Sequence, residues 1–135
     1  MSTIEIVNPE GTGRPLGQYS QVARVKASEF LFISGQLATG PDGAVVGEGD
    51  FERQCEQVFA NIGAVLKGCG ADWGNIVQLT YYLVHSQDVP RLMAYRRLAF
   101  PEMFPDGAYP PATLLIVDRL VQEPFLFEVT ATAAL

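Results

Sequence analysis

The sequence is poor in the side chains on which most enzyme chemistries depend. It holds one histidine, His85, and two cysteines in 135 residues. A lone histidine with no Cys or Asp/Glu pair nearby offers no metal-ligand spacing, so no protein-bound metal is expected. His85 also ends a strand-like segment, and Ser34, in Ile33-Ser34-Gly35-Gln36, lacks the context of a nucleophile elbow, which leaves a Ser-His-Asp triad without its parts. Gly11, Gly13 and Gly17 lie too far apart for a phosphate loop and precede no helix, so no nucleotide site is implied. Basic residues are scarce as well: nine against fifteen acidic ones give a net charge of −6. That field repels phosphate backbones, and no nucleic-acid partner is expected. No run of about 18 apolar residues is available to cross a bilayer, and the opening MSTIEIVNPEG has neither the basic head nor the apolar stretch of a signal peptide. The expectation is a soluble cytoplasmic protein with no membrane partner.

What is present is apolar: 48% of residues, with 18% charged, enough for one domain with its own core over residues 1–135. Apolar residues at 51, 55, 58, 59, 62, 66 and 69 recur with a helical period, interleaved with Glu52, Arg53, Glu56, Asn61 and Lys67. Asp50 is placed to cap that helix, and Gly68 and Gly70 mark its end. Cys55 and Cys69 both fall on its apolar stripe, roughly 21 Å apart at about 1.5 Å per residue. They are expected to be small buried hydrophobes that cannot bridge each other.

NIVQLTYYLVH is rich in β-branched and aromatic residues and predicts a largely buried strand over about 75–85. A second helix opens near Asp88, with Pro90 in its first turn, and runs to about residue 100, where Pro101 and Pro105 oppose continuation. Upstream, QVARVKA and FLFIS, separated by Ser28 and Glu29, predict a hairpin. Downstream lie ATLLIVDRL and FLFEVTATA. In the latter, Phe125, Phe127, Val129, Ala131 and Ala133 face one way and Leu126, Glu128, Thr130 and Thr132 the other. The order β, β-β, α, β, α, β-β, without repeats or low-complexity segments, predicts an α+β sandwich of about six strands with two helices on one face of a mixed sheet. The other face carries apolar side chains, among them Leu and Tyr of the 75–85 strand, which points to an oligomer.

Glu128 is the residue most out of keeping with its surroundings, an acid among apolar residues and threonines in mid-strand. Carboxylates in such settings hold their protons more tightly and exchange them near neutral pH. The alternative is an acid on a solvated or inter-subunit face, paired with an arginine such as Arg119. Three further stretches resist explanation by packing. Gly17-Gln18-Tyr19-Ser20-Gln21 is a polar segment just before a strand. Ser34-Gly35 closes the next strand, with a glycine that admits close backbone approach or a positive-φ turn. Tyr109-Pro110-Pro111-Ala112-Thr113 is a rigid lead into another strand.

Together these segments resemble the RidA/YjgF/UK114 (Rid) family of reactive-intermediate deaminases. The likeness rests on Tyr19-Ser20-Gln21, Phe32-Ile33-Ser34-Gly35-Gln36, Gln54 and Asn61, Gly70-Ala71, Tyr109-Pro110-Pro111 and Glu128, in that order over about residues 5–133. The resemblance implies a chorismate-mutase-like, YjgF-type α+β fold assembled as a homotrimer with clefts between subunits. It also implies cofactor-free, metal-free hydrolysis of small-molecule imines and enamines to carbonyl compounds and ammonia. By the same resemblance the residue matching Glu128 handles the proton and activates water, Tyr19 closes the pocket, and backbone groups after Ser34-Gly35 hold the substrate.

The chain departs from the family pattern at one telling place. Where relatives carry a substrate-clamping arginine followed by serine and often cysteine, this sequence has Ala112, Thr113 and Leu114. Charged hydrogen bonds of that kind contribute about 1.5–3 kcal/mol each, and alanine supplies none. The second helix departs as well, with Met93, Arg96, Ala99 and Phe100 in place of Asn-x-x-Tyr-x-x-Phe-Phe. Arg96, on or beside the buried stripe, either snorkels to solvent or returns a positive charge to the cleft. The expected function is a Rid-type hydrolase whose substrate lacks a carboxylate or presents it differently. The alternatives are a non-catalytic small-ligand-binding trimer and a ribonuclease, a label the family has carried and the charge opposes.

Overall fold

The structure, a computed structural model, describes residues 2–135. The first helix, α1 (Phe51–Gly68), is capped by Asp50, whose side chain accepts from the Arg53 N–H at 3.0 Å. Its far end closes with Gly70 at φ +74°, where the Gly70 N–H reaches the Lys67 carbonyl and the Ala71 N–H the Leu66 carbonyl, a Schellman closure that favours glycine there. The buried stripe is Phe51, Gln54, Cys55, Val58, Phe59, Ile62 and Leu66. Cys69 is not part of it. That residue follows the last helical turn as the C-cap and is exposed, so only Cys55 is a core thiol.

The second helix, α2 (Val89–Met103), carries Pro90 in its first turn and extends past the expected stop, with Pro101 inside it. A proline in a helix interior costs about 3 kcal/mol. Here packing outweighs that cost: Phe100 and Phe104 lie edge-to-face at 5.2 Å and both meet Tyr109, and the Phe104 N–H closes on the Phe100 carbonyl at 2.7 Å. Asp88 does not cap this helix through its side chain. Its carboxylate pairs with Arg91 at 2.7 Å.

Among the described residues six strands form a two-stranded ribbon and a four-stranded mixed sheet. β1 (Thr3–Val7) and β2 (Val22–Lys26) pair antiparallel. β3 (Phe30–Gln36), β4 (Ile76–Leu83), β5 (Ala112–Ile116) and β6 (Phe127–Ala134) order as β3-β6-β4-β5, with β4 and β5 parallel and the other pairs antiparallel. The hairpin expected between QVARVKA and FLFIS does not form, because β2 pairs with β1 and β3 with β6. β3 has Leu31 and Ile33 to place beside Ala133 and Ala131 in the helix-side core, and only β6 offers that neighbourhood.

Both helices cover one face of the four-stranded sheet, where Phe59 meets Trp73, Tyr81, Tyr95, Phe100 and Phe127 with ring centroids 5.7–6.4 Å apart. Phe127, Val129, Ala131 and Ala133 of β6 are buried there, together with Leu79, Tyr81 and Leu83 of β4. The outer face is consequently less apolar than expected, since both leucines of β4 turn inward and leave Thr80 and Tyr82 outside beside Glu128 and Thr130. Its apolar part comes from the two edge strands, where Phe32 of β3 is 83% and Leu115 of β5 44% exposed. Among the described residues no helix is long and apolar enough to cross a membrane.

Candidate functional site

Glu128 is the second residue of β6, near its start and not in mid-strand as expected, because the strand begins only at Phe127; it stands on the outer face directly opposite Tyr82 of β4. On its other side the β3–β6 register slips between Ile33 and Gln36, and this irregularity brings Gly35 against the carboxylate. A Cβ at Gly35 would overlap Glu128 Oε2 and lie 2.8 Å from its Cδ, so a larger residue there would have to displace the carboxylate. Burial raises the proton affinity of the Glu128 carboxyl above that of an ordinary glutamate. Among the described residues it forms no salt bridge, so nothing holds the charged form in place.

The carboxylate opens on a cavity of about 170 Å³ lined by Tyr82, Val117, Arg119, Leu120, Glu128 and Thr130. Arg119 shares this cavity without pairing to Glu128, contrary to the alternative weighed from sequence. Its Nε donates to the Leu120 carbonyl at 3.0 Å, Nη2 to the Val121 carbonyl at 3.3 Å, and Nη1 to Glu123 at 2.8 Å. Ser34 is exposed beside Gly35, and its carbonyl accepts from the Gln36 side chain at 3.0 Å.

Tyr19, Met93 and Arg96 gather elsewhere, on the helix side of the sheet. Arg96 does not snorkel. It is 3% exposed, with its guanidinium carbon 4.9 Å from the Tyr81 ring centre and 5.4 Å from that of Phe100. Nη2 donates to the Gln18 carbonyl at 2.6 Å and Nη1 meets Met93 Sδ at 3.7 Å, so the head finds partners inside the protein and has no need to reach water. Gly17 rests on Met93 Cε, the Tyr19 hydroxyl accepts from the Leu16 N–H at 3.1 Å, and Ser20 bridges to Pro111. This arrangement fastens the Gly17–Ser20 segment to α2 and to the start of β5.

The 112–114 stretch divides between the two faces. Ala112 and Leu114 share cross-strand rows with Leu79 and Tyr81 on the helix side, whereas Thr113 joins Thr80 and Thr130 in the row next to Glu128. One chain therefore brings together Gly35, Glu128 and the row of Thr113, and holds Tyr19, Met93 and Arg96 apart from them. Gln54 and Asn61 serve structure. Gln54 binds the Gly47 and Pro124 carbonyls and the Leu126 N–H, and Asn61 binds the Leu37 and Thr39 carbonyls. Sequence reasoning missed Tyr82, Val117, Leu120 and Thr130 as cavity residues. The alternation within NIVQLTYYLVH was the available signal, and it leaves the neighbouring strands unknown.

A larger hollow of about 490 Å³ lies away from Glu128, among Ile4, Ile6, Trp73, Ile76, Met103 and Phe104. Of its two carboxylates, Asp72 is committed to capping the short 3-10 turn that starts at Trp73, leaving Asp106. The carboxyl with raised proton affinity, Glu128, lines the smaller cavity. Among the described residues no group of three His, Cys, Asp or Glu side chains is arranged to hold a metal ion.

Comparison with known proteins agrees with this fold. The family model described as endoribonuclease L-PSP matches residues 11–135. A RutC family protein of Synechocystis is 32% identical over 134 residues, covering 98% of each chain. A bovine 2-iminobutanoate/2-iminopropanoate deaminase is 30% identical over 111 residues, covering 82% of this chain and 80% of its own. Among solved structures, the Rid-family protein YyfB of Yersinia pestis, described as of unknown function, superposes with a TM-score of 0.84 at 32% identity over 98% of both chains. The α+β arrangement of two helices on one sheet face is thus shared architecture, and the chain belongs to the Rid (RidA/YjgF/UK114) family.

Proposed function

We propose that this protein is a Rid-type deaminase that hydrolyses a small imine or enamine, with Glu128 exchanging the proton. The observation that carries the proposal is a carboxyl group with raised proton affinity, set against Gly35 and without an ion pair among the described residues, at the wall of a small cavity. Such an acid is partly protonated closer to neutrality, where a general acid is most useful.

In the reaction, protonated Glu128 donates to the imine nitrogen as a water oxygen adds to the imine carbon, and the C=N π pair becomes the new N–H bond. The carboxylate then takes the surplus proton from the added oxygen, leaving a neutral carbinolamine. A second transfer from Glu128 to nitrogen breaks the C–N bond and releases ammonia. The remaining hydroxyl returns its proton to the carboxylate and becomes the carbonyl. No electron is transferred, and the sequence asks for no cofactor. Tyr19 and the Ser34-Gly35 backbone hold the substrate in this proposal, with Thr113 bordering the cleft, while Met93, Arg96, Ala112 and Leu114 stay on the helix side of the sheet.

One chain keeps Tyr19 away from Glu128, and a homotrimer with clefts between subunits supplies Tyr19 from a neighbouring copy. The exposed Phe32 of β3 and Leu115 of edge strand β5, both on the outer face, offer apolar surface for that contact. The protein acts in the cytoplasm in this reading, with no nucleic acid or membrane as partner.

The test is turnover of imines generated in solution, with and without a carboxylate, by wild type and E128Q. Loss of hydrolysis in E128Q with an unchanged sedimentation coefficient supports the assignment, and undiminished turnover overturns it. Ala112 at the place of the family's arginine favours a second reading, a non-catalytic trimer that binds a small ligand. Thermal stabilisation by small imine analogues without any turnover by the wild type would establish that alternative.

A further inference from the structure

We propose that the hollow of about 490 Å³ beside the β1–β2 ribbon binds a small aromatic amine as its ammonium ion, with the ring against Trp73 and Phe104 and the charge at Asp106. This is a second site. It shares no lining residue with the Glu128 cavity and does not depend on the deaminase reading.

The hollow lies where the ribbon, which joins no ladder of the four-stranded sheet, passes the lead into β4 and the end of α2. Ile4 and Ile6 of β1, the Trp73–Ile76 segment, and Met103 with Phe104 enclose the space without filling it. Small-molecule sites span about 300–1,000 Å³ and combine mostly apolar walls with a few polar groups, and this hollow has both properties. Ile76 and Phe104 are buried beneath it, while Asp106 is exposed at its rim. Trp73 and Phe104 stand edge-to-face, with ring centroids 6.0 Å apart and planes at 71°. They make a corner of two ring planes, against which a flat ring packs and toward which a cation is drawn.

Charge decides the class of ligand. The lining holds the carboxylates of Asp72 and Asp106 and no lysine, arginine or histidine, in a chain of net charge −6. An anion is repelled from such a hollow and a cation attracted. Asp72 is occupied by the Gly74 N–H, which it accepts at 2.9 Å. Asp106 forms no salt bridge among the described residues. Its backbone is set by a tight turn in which the Gly107 N–H closes on the Phe104 carbonyl at 2.9 Å, with Gly107 at φ +69°. The carboxylate is thus stationed beside the aromatic corner before any ligand arrives.

Trp73 is the only tryptophan of the chain, so its emission reports on this hollow. The experiment titrates the full chain with 2-phenylethylamine, with uncharged 2-phenylethanol and with anionic 3-phenylpropanoate, following Trp73 emission and, separately, the heat of binding. The amine should change the emission saturably, with the alcohol about tenfold weaker and the acid weaker still. D106N should weaken amine binding about threefold to tenfold, leaving the alcohol and the melting temperature unchanged. A108F, which fills the hollow from its exposed rim, should abolish binding of both. E128Q should bind the amine as wild type does. Equal affinity for amine and alcohol overturns the proposal, as does equal affinity of wild type and D106N for the amine or an emission that no amine alters. Amine binding weakened by E128Q but not by D106N also overturns it, because the amine then occupies the other cavity.

Discussion

Glu128 and Arg96 lie on opposite faces of the same four-stranded sheet, and among the described residues neither has an ionic partner. Their surroundings differ in what they ask of the charge. A carboxylate can discharge by taking up a proton, and Glu128, half-buried at a cavity wall, is pushed in that direction. A guanidinium cannot discharge in a protein, so Arg96 must be satisfied where it stands, by a carbonyl, a thioether and two aromatic faces. The match is incomplete, since Arg96 Nε, the Tyr81 hydroxyl and Gln18 Oε1 are buried without partners. The one charge is available for chemistry and the other is committed to fastening the Gly17–Tyr19 segment. Burial alone does not separate a reactive charge from a structural one; the ability to change protonation does.

The largest effect that would break this contrast is at Arg96. R96A leaves a cavity and an unpaired Gln18 carbonyl, and should cost about 3 kcal/mol in urea unfolding, whereas R96M, which keeps the stem, should cost about 1 kcal/mol. An R96A protein as stable as wild type would show that the fastening is idle. Next in size is G35A, whose methyl meets the Glu128 carboxylate. It should lose about 1–3 kcal/mol of stability together with activity, and most of that stability cost should vanish in an E128A background. Additive losses in the double-mutant cycle would contradict the close approach.

A smaller effect concerns pH. Because burial raises the proton affinity of Glu128 in the folded protein, the folded state binds more proton than the unfolded one between the two pKa values. That contribution is fully present below the ordinary glutamate range and is lost as pH rises through the folded value. E128Q should therefore show a flatter melting-temperature profile, gaining on wild type above that window; a parallel profile would refute the burial effect. The least perturbing measurement is thiol counting. Burial, together with Glu52 and Asp88, raises the Cys55 thiol far above its usual range, while Cys69 is exposed. One thiol per chain should react quickly with an aromatic disulfide reagent, C69S should abolish that fast phase, and Cys55 should react only on unfolding.

Parts of this molecule were legible in the sequence because their signal is local. The stripe from Phe51 to Leu66, the cap at Asp50 and the turn at Gly70 all lie within the reach of one helix and its ends. The alternation of Phe127, Val129, Ala131 and Ala133 against Glu128, Thr130 and Thr132 likewise identified the two faces of β6. Where the outcome depended on distant packing, local signals misled. Pro101 was passed over because Phe100, Phe104 and Tyr109 lock together, and the apparent β2–β3 hairpin lost to the pairing of β3 with β6.

The sequence by itself determined the α+β class, the acidic character, the two helices and the oddity of Glu128 in an apolar strand. Only the tertiary structure decided that Gly35 lies against that acid, that Tyr82, Arg119 and Thr130 share its cavity, and that Arg96 is sealed on the other face. The reason is physical: a period of two states which side chains share a face, while strand neighbours and register follow from long-range closure that no local pattern encodes.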